Sequence, residues 1–314
     1  MVLSPQLARD NLAADEASNF SELRRAVGAA GRSVDEALIQ LLPKPHGLHA
    51  RVHEAMHYAV FAGGKRLRPF LVLSCAKLFD VDPARALRVG AAIEAMHTYS
   101  LVHDDLPCMD DDDLRRGRPT VHVAFDEATA VLAGDALLTF AFEILSDRAT
   151  HPSAEVRCRL TMKLAEAAGS NGMIGGQMID MQATQHPLDD RSIVDLQRMK
   201  TGALFDFCCQ AGAILGEADL EHRDRLRDYA RDFGLVFQIT DDLLDVLGTK
   251  EKTGKSVGKD KEQGKATLVS VYGVEGAMRE AEKLAQRAVA ALAPYGDKTA
   301  DLRALALFLL DRET

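Results

Sequence analysis

The chain has 314 residues, 47% of them apolar and 27% charged, a balance that suits a folded globular protein and argues against wholesale disorder. Thirty-eight Lys and Arg against 47 Asp and Glu leave a net charge of −9, and Trp is absent; both facts argue against a basic nucleic-acid surface with stacking aromatics. Five cysteines without a C-x-x-C pair fit a reduced, cytoplasmic setting better than a disulfide framework.

Taken in chain order, the first segment carries Arg9, Asp10, Asp15 and Glu16 where a signal peptide would be apolar. Residues 1–32 are expected to be a loosely ordered extension of a single domain spanning 1–314. Ser33 with Glu36 predicts a capping box at a helix start, and Pro43 and Pro45 predict its stop. Gly63 and Gly64 break the next stretch, and Asp82 before Pro83 predicts an N-cap with proline in the first turn. From Ala91 to Leu106 and from Ala130 to Leu145 apolar residues recur every three or four positions, the helical period. The most apolar runs, Ala136 to Leu145 and Ala304 to Leu310, fall short of the ~20 residues a membrane span needs, so no membrane is expected. Pro152 and Pro294 mark further stops. No alternating strand pattern is evident, so the fold is expected to be all-α. The polar stretch from Gly248 to Gly264, with Lys250, Lys252, Lys255, Lys259 and Lys261, is a linker or a lid.

Two acidic clusters stand out. Asp241 and Asp245 lie four residues apart, hence on one helix face, within an otherwise apolar stretch. Carboxylates so placed repel one another and are costly to bury, which suggests a cation between them. The alternative is an ordinary charged helix surface. The first cluster runs Asp104-Asp105-Leu106-Pro107-Cys108-Met109-Asp110. Asp104 and Asp110 are six apart and would diverge on a straight helix, so Leu106 to Met109 reads as an insertion absorbed by a distortion at Pro107. Oxygen-only ligands favour a hard cation, and Mg²⁺ commonly bridges carboxylates to substrate phosphates. Candidate phosphate-binding groups follow: Gly63-Gly64-Lys65-Arg66-Leu67-Arg68, Arg115-Arg116-Gly117 and Lys200-Thr201-Gly202.

In this order, GGKRLRP, HDDLPCMDDDDLRRG, KTG and QITDDLLD, the last followed by two Gly-Lys pairs, the chain resembles the trans-isoprenyl diphosphate synthases, above all the bacterial short-chain members. The resemblance implies an isoprenoid-synthase-type helical bundle around a central catalytic cavity, usually homodimeric. It implies Mg²⁺, three ions in the family, held by Asp104, Asp110 and Asp241 with Asp105 and Asp245 in support, and with Gln177 and Asp180 nearby. Lys65, Arg68, His97 and Arg116 would hold isopentenyl diphosphate. Arg115, Lys200, Lys255 and Lys265 would grip an allylic diphosphate, and Thr201 and Gln238 would turn oxygen dipoles toward the developing cation. That chemistry needs water excluded, which favours the lid reading of the lysine-rich stretch.

The resemblance also implies that Tyr99 and Ser100, five and four positions before Asp104, bound the growing chain. An aromatic there goes in the family with farnesyl diphosphate, and geranylgeranyl diphosphate is the runner-up. A terpene cyclase, a non-catalytic partner subunit and a Mg²⁺-dependent phosphatase are the competing functions. The basic pocket argues against the first, and two intact acidic motifs against the second. For the third, the sequence offers no nucleophilic Asp motif and no strand-rich framework.

Overall fold

A computed structural model describes residues 5–183, 186, 188–247 and 267–311, with side chains from Phe20 onward. The all-α expectation holds: α1 (Pro5–Leu41), α2 (Ala50–Val60), α3 (Leu67–Leu78), α4 (Pro83–Asp104), α5 (Val121–Ala124) and α6 (Glu127–Ser146) are followed by α7 (Ala154–Ala168), α8 (Met173–Ala183) and α9 (Asp190–Gln197). After a π-helical turn at Arg198–Gly202 come α10 (Ala203–Leu215), α11 (Leu220–Leu247), α12 (Leu268–Ala291) and α13 (Ala300–Phe308). The helices pack pairwise, α4 on α6, α3 on α10, and α11 on α12 and α10, so α4, α10 and α11 each meet several neighbours.

Most of the punctuation acts as expected. Asp82 accepts a 2.9 Å hydrogen bond from the Ala84 amide with Pro83 in the first turn, and α1 stops just before Pro43. Ser33 does not begin a helix: α1 is continuous through it, because Leu23, Val34 and Leu38 bury one face of that helix in the core. Residues 5–32 are therefore helical where a loose extension was expected. The helix containing the Ala136 to Leu145 run is 20 residues long and apolar enough to cross a membrane, but half of it is buried inside the bundle, chiefly against α4. One hairpin escaped the sequence: Leu114–Arg115 pairs with Arg118–Pro119 across Arg116 and Gly117, both at positive φ (53° and 76°). Two left-handed central residues make the tight turn whose twist suits paired strands, and two-residue strands are too short to show alternation.

Close approach fixes one helix pair. A Cβ on Gly212 of α10 would stand 2.5 Å from the Ala76 nitrogen and the Cys75 carbonyl carbon of α3. Backbone cannot step aside as a side chain can. Gly212→Ala is expected to cost about 3 kcal/mol or more, despite alanine's better helix propensity, with urea unfolding as the measure. A neutral or stabilising result would mean that the two helices slide.

Candidate active site

α4 ends at Asp104, and the chain turns back on itself instead of carrying a kinked helix past Pro107. The Asp110 amide donates to the Asp104 carbonyl at 2.9 Å, and the Met109 amide to Leu106 at 2.8 Å. The six-residue spacing is thus resolved by a compact turn that brings the second carboxylate back over the first, close enough for Asp110 to act on the Asp104 carboxyl. Burial, offset by Lys200 and reinforced by Asp110, raises the Asp104 pKa from 3.8 to about 6. Asp105, only 3% exposed, binds Arg115 through both oxygens, at 2.7 and 2.9 Å from Nε and 2.5 Å from Nη2. The structure therefore joins to each other two residues assigned separately to metal and to diphosphate.

Lys200 and Thr201 sit in the π-helical turn between α9 and α10, a local widening that apolar periodicity does not reveal. Gly176 of α8 permits it: a Cβ there would lie 2.3 Å from the Lys200 nitrogen. Lys200 Nζ forms an ion pair with Asp180, also on α8, and is near enough to Asp104 to oppose its neutralisation. The Thr201 hydroxyl donates to Gln238 Oε1 at 3.2 Å, and Gln238 Nε2 donates to Asp242 Oδ1 at 2.8 Å. Asp242, to which no role was assigned, is buried and also accepts the Leu268 amide at 2.6 Å. It fixes which way the Gln238 amide points, and it ties the start of α12 to α11. Asp241 and Asp245 lie half-buried on α11.

The basic side is built around Arg66, another residue given no role. Its backbone is left-handed (φ 50°), and its buried guanidinium reaches Glu94 at 2.6 Å, Asp35 at 2.9 Å and the Val60 carbonyl at 2.8 Å. Three anchors on three elements hold the Gly63–Lys65 turn in place. Arg116 donates to the Gly63 carbonyl, and Gly64 at φ 139° takes a backbone shape that other residues rarely adopt, with Arg116 Nη1 2.6 Å from where a Cβ would be. Arg68 stacks on Phe205 at 4.7 Å and approaches His97 Nε2 at 3.4 Å; its buried Nε has no partner among the described residues. Burial, then the charges of Arg68 and Arg116, hold the His97 pKa well below the usual imidazole value, so the ring is neutral and accepts from Arg68. Burial also lowers the Arg68 pKa, against the opposing charges of Glu94 and Asp241. Arg68 thereby links the basic pocket to the second acidic motif. Tyr99 is 6% exposed with its ring edge-to-face on His103 at 5.4 Å, and Ser100 donates to the His97 carbonyl at 2.9 Å. Lys255 and Lys265 lie outside the described residues.

Carboxylate oxygens gathered this way suit a hard cation: Asp104 and Asp110 are adjacent, and their mutual repulsion is what a cation would relieve. Among the described residues no three His, Cys, Asp or Glu side chains converge on one point, so substrate oxygens would have to complete the shell. A cavity of about 440 Å³ lies elsewhere, between α9, α11 and α12, and none of the motif aspartates, lysines or arginines lines it.

Residues 49–302 match the polyprenyl synthetase family. The chain belongs to that family. It is 46% identical over 257 residues to the farnesyl diphosphate synthase of Geobacillus stearothermophilus, covering 81% of this chain and 84% of that one. In structure it is similar to an FPP/GFPP synthase from Zymomonas mobilis (47% identity, TM-score 0.84, 92% of this chain and 99% of that one). It is also similar to a geranylgeranyl pyrophosphate synthetase from Pyrococcus horikoshii Ot3 (31% identity, TM-score 0.85, 94% and 99%). The family match begins at residue 49, on the turn before α2, and so covers every acidic and basic motif described above.

Proposed function

We propose that the protein condenses isopentenyl diphosphate head-to-tail with dimethylallyl or geranyl diphosphate and releases farnesyl diphosphate. The observation that carries this reading is the presence of two separate cationic clusters: Arg68, beside the neutral His97, with Arg116 on one side, and Lys200 and Arg115, paired with Asp180 and Asp105, on the other. Two diphosphates need two such pockets; a cyclase or a phosphatase needs one.

Three Mg²⁺ ions, entering with the allylic diphosphate, would be held by Asp104, Asp110 and Asp241 with Asp105 and Asp245 in support. Bound there, they supply charge neutralisation of the leaving diphosphate. Lys200 and Arg115, released from Asp180 and Asp105, add cationic donors to the same oxygens. As the allylic carbon–oxygen bond breaks, the Thr201 hydroxyl and the Gln238 carbonyl stabilise the allylic cation by their oxygen dipoles. Lys65, Arg68 and Arg116 hold isopentenyl diphosphate so that its double bond attacks that carbon. A proton then passes to the released diphosphate, and a new allylic diphosphate remains. Gly248 to Gly264, read from the sequence as a lid, lies outside the described residues. A cytoplasmic homodimer completes the reading; the outer apolar side chains Val131 and Leu132 of α6 support such a contact.

Incubation with both diphosphates, with products sized by mass spectrometry, tests the reading. Fifteen-carbon diphosphate is expected; a cyclised hydrocarbon or simple hydrolysis would overturn it. Substrate sorting follows from the same assignment. Replacement of Arg68 or Arg116 by Gln is expected to raise KM for isopentenyl diphosphate by roughly 10- to 100-fold and KM for the allylic partner far less. Equal changes in both KM values would show that the pockets are wrongly divided.

A further inference from the structure

Three histidines outside the acidic and basic motifs stand together where the connection from α1 enters α2. The ring centroids of His46 and His49 are 5.4 Å apart, those of His46 and His53 5.7 Å, and those of His49 and His53 4.9 Å. His49 and His53 are one helical turn apart. Gly47, at φ 69°, turns the chain so that His46 folds back onto that pair. The geometry points to a binding site for a borderline divalent transition-metal ion, of which Zn²⁺ is the type, made by His46, His49 and His53.

The spacing is the first argument. With Zn–N bonds of about 2.1 Å and tetrahedral angles, three imidazole centroids around one ion lie roughly 5 Å apart. The state of the nitrogens is the second. His46 Nδ1 lies 2.8 Å from the Lys44 carbonyl oxygen. A carbonyl only accepts, so Nδ1 carries the hydrogen and Nε2 keeps its lone pair, the arrangement found in metal-bound histidines anchored on backbone. His53 Nδ1 is buried with no hydrogen-bond partner among the described residues. A buried nitrogen left so forfeits its hydrogen bond, and ligation would recover that loss.

The rings now stand tilted or edge to face, and their nitrogens do not converge on one point. His49 is exposed, so rotation between staggered rotamers aims its ring at small cost while His46 keeps its Nδ1 on the Lys44 carbonyl. Solvent fills the fourth position, as in other three-histidine sites. Imidazole selects Zn²⁺, Ni²⁺ or Cu²⁺, whereas the oxygen-only acidic motifs select Mg²⁺, so the two sites discriminate by ligand softness. Bound metal would clip the connection between α1 and α2 to the first two turns of α2.

Cobalt(II) titration of the metal-stripped full-length protein, in excess Mg²⁺, tests the proposal through the visible d–d absorption of a low-coordinate Co²⁺ ion. One equivalent is expected to bind and to be displaced by Zn²⁺. His46→Ala and His49→Ala are expected to weaken binding at least roughly tenfold without altering helical circular dichroism, and Asp104→Asn to leave it unchanged. No visible band, a band that survives His49→Ala, or one abolished by Asp104→Asn would each overturn the site.

Discussion

Asp104→Ala and Asp241→Ala are each expected to lower kcat by roughly a thousandfold or more, about 4 kcal/mol of transition-state stabilisation, while leaving the fold intact. Asp104 lies within electrostatic reach of Asp110 and Lys200, and Asp241 within that of Arg68. Neither belongs to the apolar core. A variant at either position that retained near-normal turnover would sink the metal-assisted mechanism. The same residue carries a stability signature of opposite sign. Burial, with Asp110 and Asp105 adding to it against Lys200 and Arg115, raises the folded-state pKa of Asp104 from 3.8 to about 6. A carboxyl raised in the folded state adds no cost below pH 3.8. It penalises folding increasingly as pH rises and does so fully above pH 6, on the order of 3 kcal/mol. Asp104→Asn is therefore expected to stabilise the metal-free protein at pH 7.5 and to leave it unchanged near pH 3.5, as read by urea unfolding in chelator. Equal stability of variant and parent at pH 7.5 would show that the site is wetter than its burial suggests. Lost turnover with gained stability identifies a residue kept for chemistry.

Tyr99→Ala is expected to shift the product from fifteen carbons to twenty or more. Tyr99 is buried on α4, one turn and a residue before Asp104, and its ring edge rests on His103, whose Nε2 lies 3.0 Å from the Val131 carbonyl of α6. The ring is thus clamped between α4 and α6 and cannot swing aside without leaving its rotamer. Gly134 makes room for that clamp, since a Cβ there would fall 2.1 Å from His103 Nε2. Removing the ring opens space for further isoprene units and also costs about 3–5 kcal/mol of packing, so products are best compared at a temperature where the variant stays folded. An unchanged product distribution would place the floor of the cavity elsewhere and leave the length assignment without a physical basis.

The chemistry was legible in the sequence because it is local in sequence. Two aspartates four apart on an apolar helix, arginines after a glycine pair, and a lysine–threonine–glycine step each announce their charge and spacing without reference to the rest of the chain. Helix stops were legible for the same reason, since proline and glycine act through their own backbone. What the sequence misjudged or missed depends on partners far along the chain. Ser33 carries the signature of a cap, but α1 runs through it because burial of Leu23, Val34 and Leu38 outweighs local preference. Arg66 reads as one of three basic residues within Lys65 to Arg68 until Glu94 and Asp35, 28 and 31 positions away, turn it into the anchor of the Gly63–Lys65 turn. Asp105 and Asp104 are neighbours with the same side chain, yet one is given to Arg115 and the other to Asp110, because the helix ends between them and the chain folds back. The π-helical turn under Lys200 exists only because Gly176 of another helix lets that backbone approach. Residue types and their spacing determined which chemistry this chain carries. Only the tertiary structure decided which carboxylate is held by arginine and which is folded back beside another carboxylate, since hydrogen-bond partners and burial are properties of the packed chain.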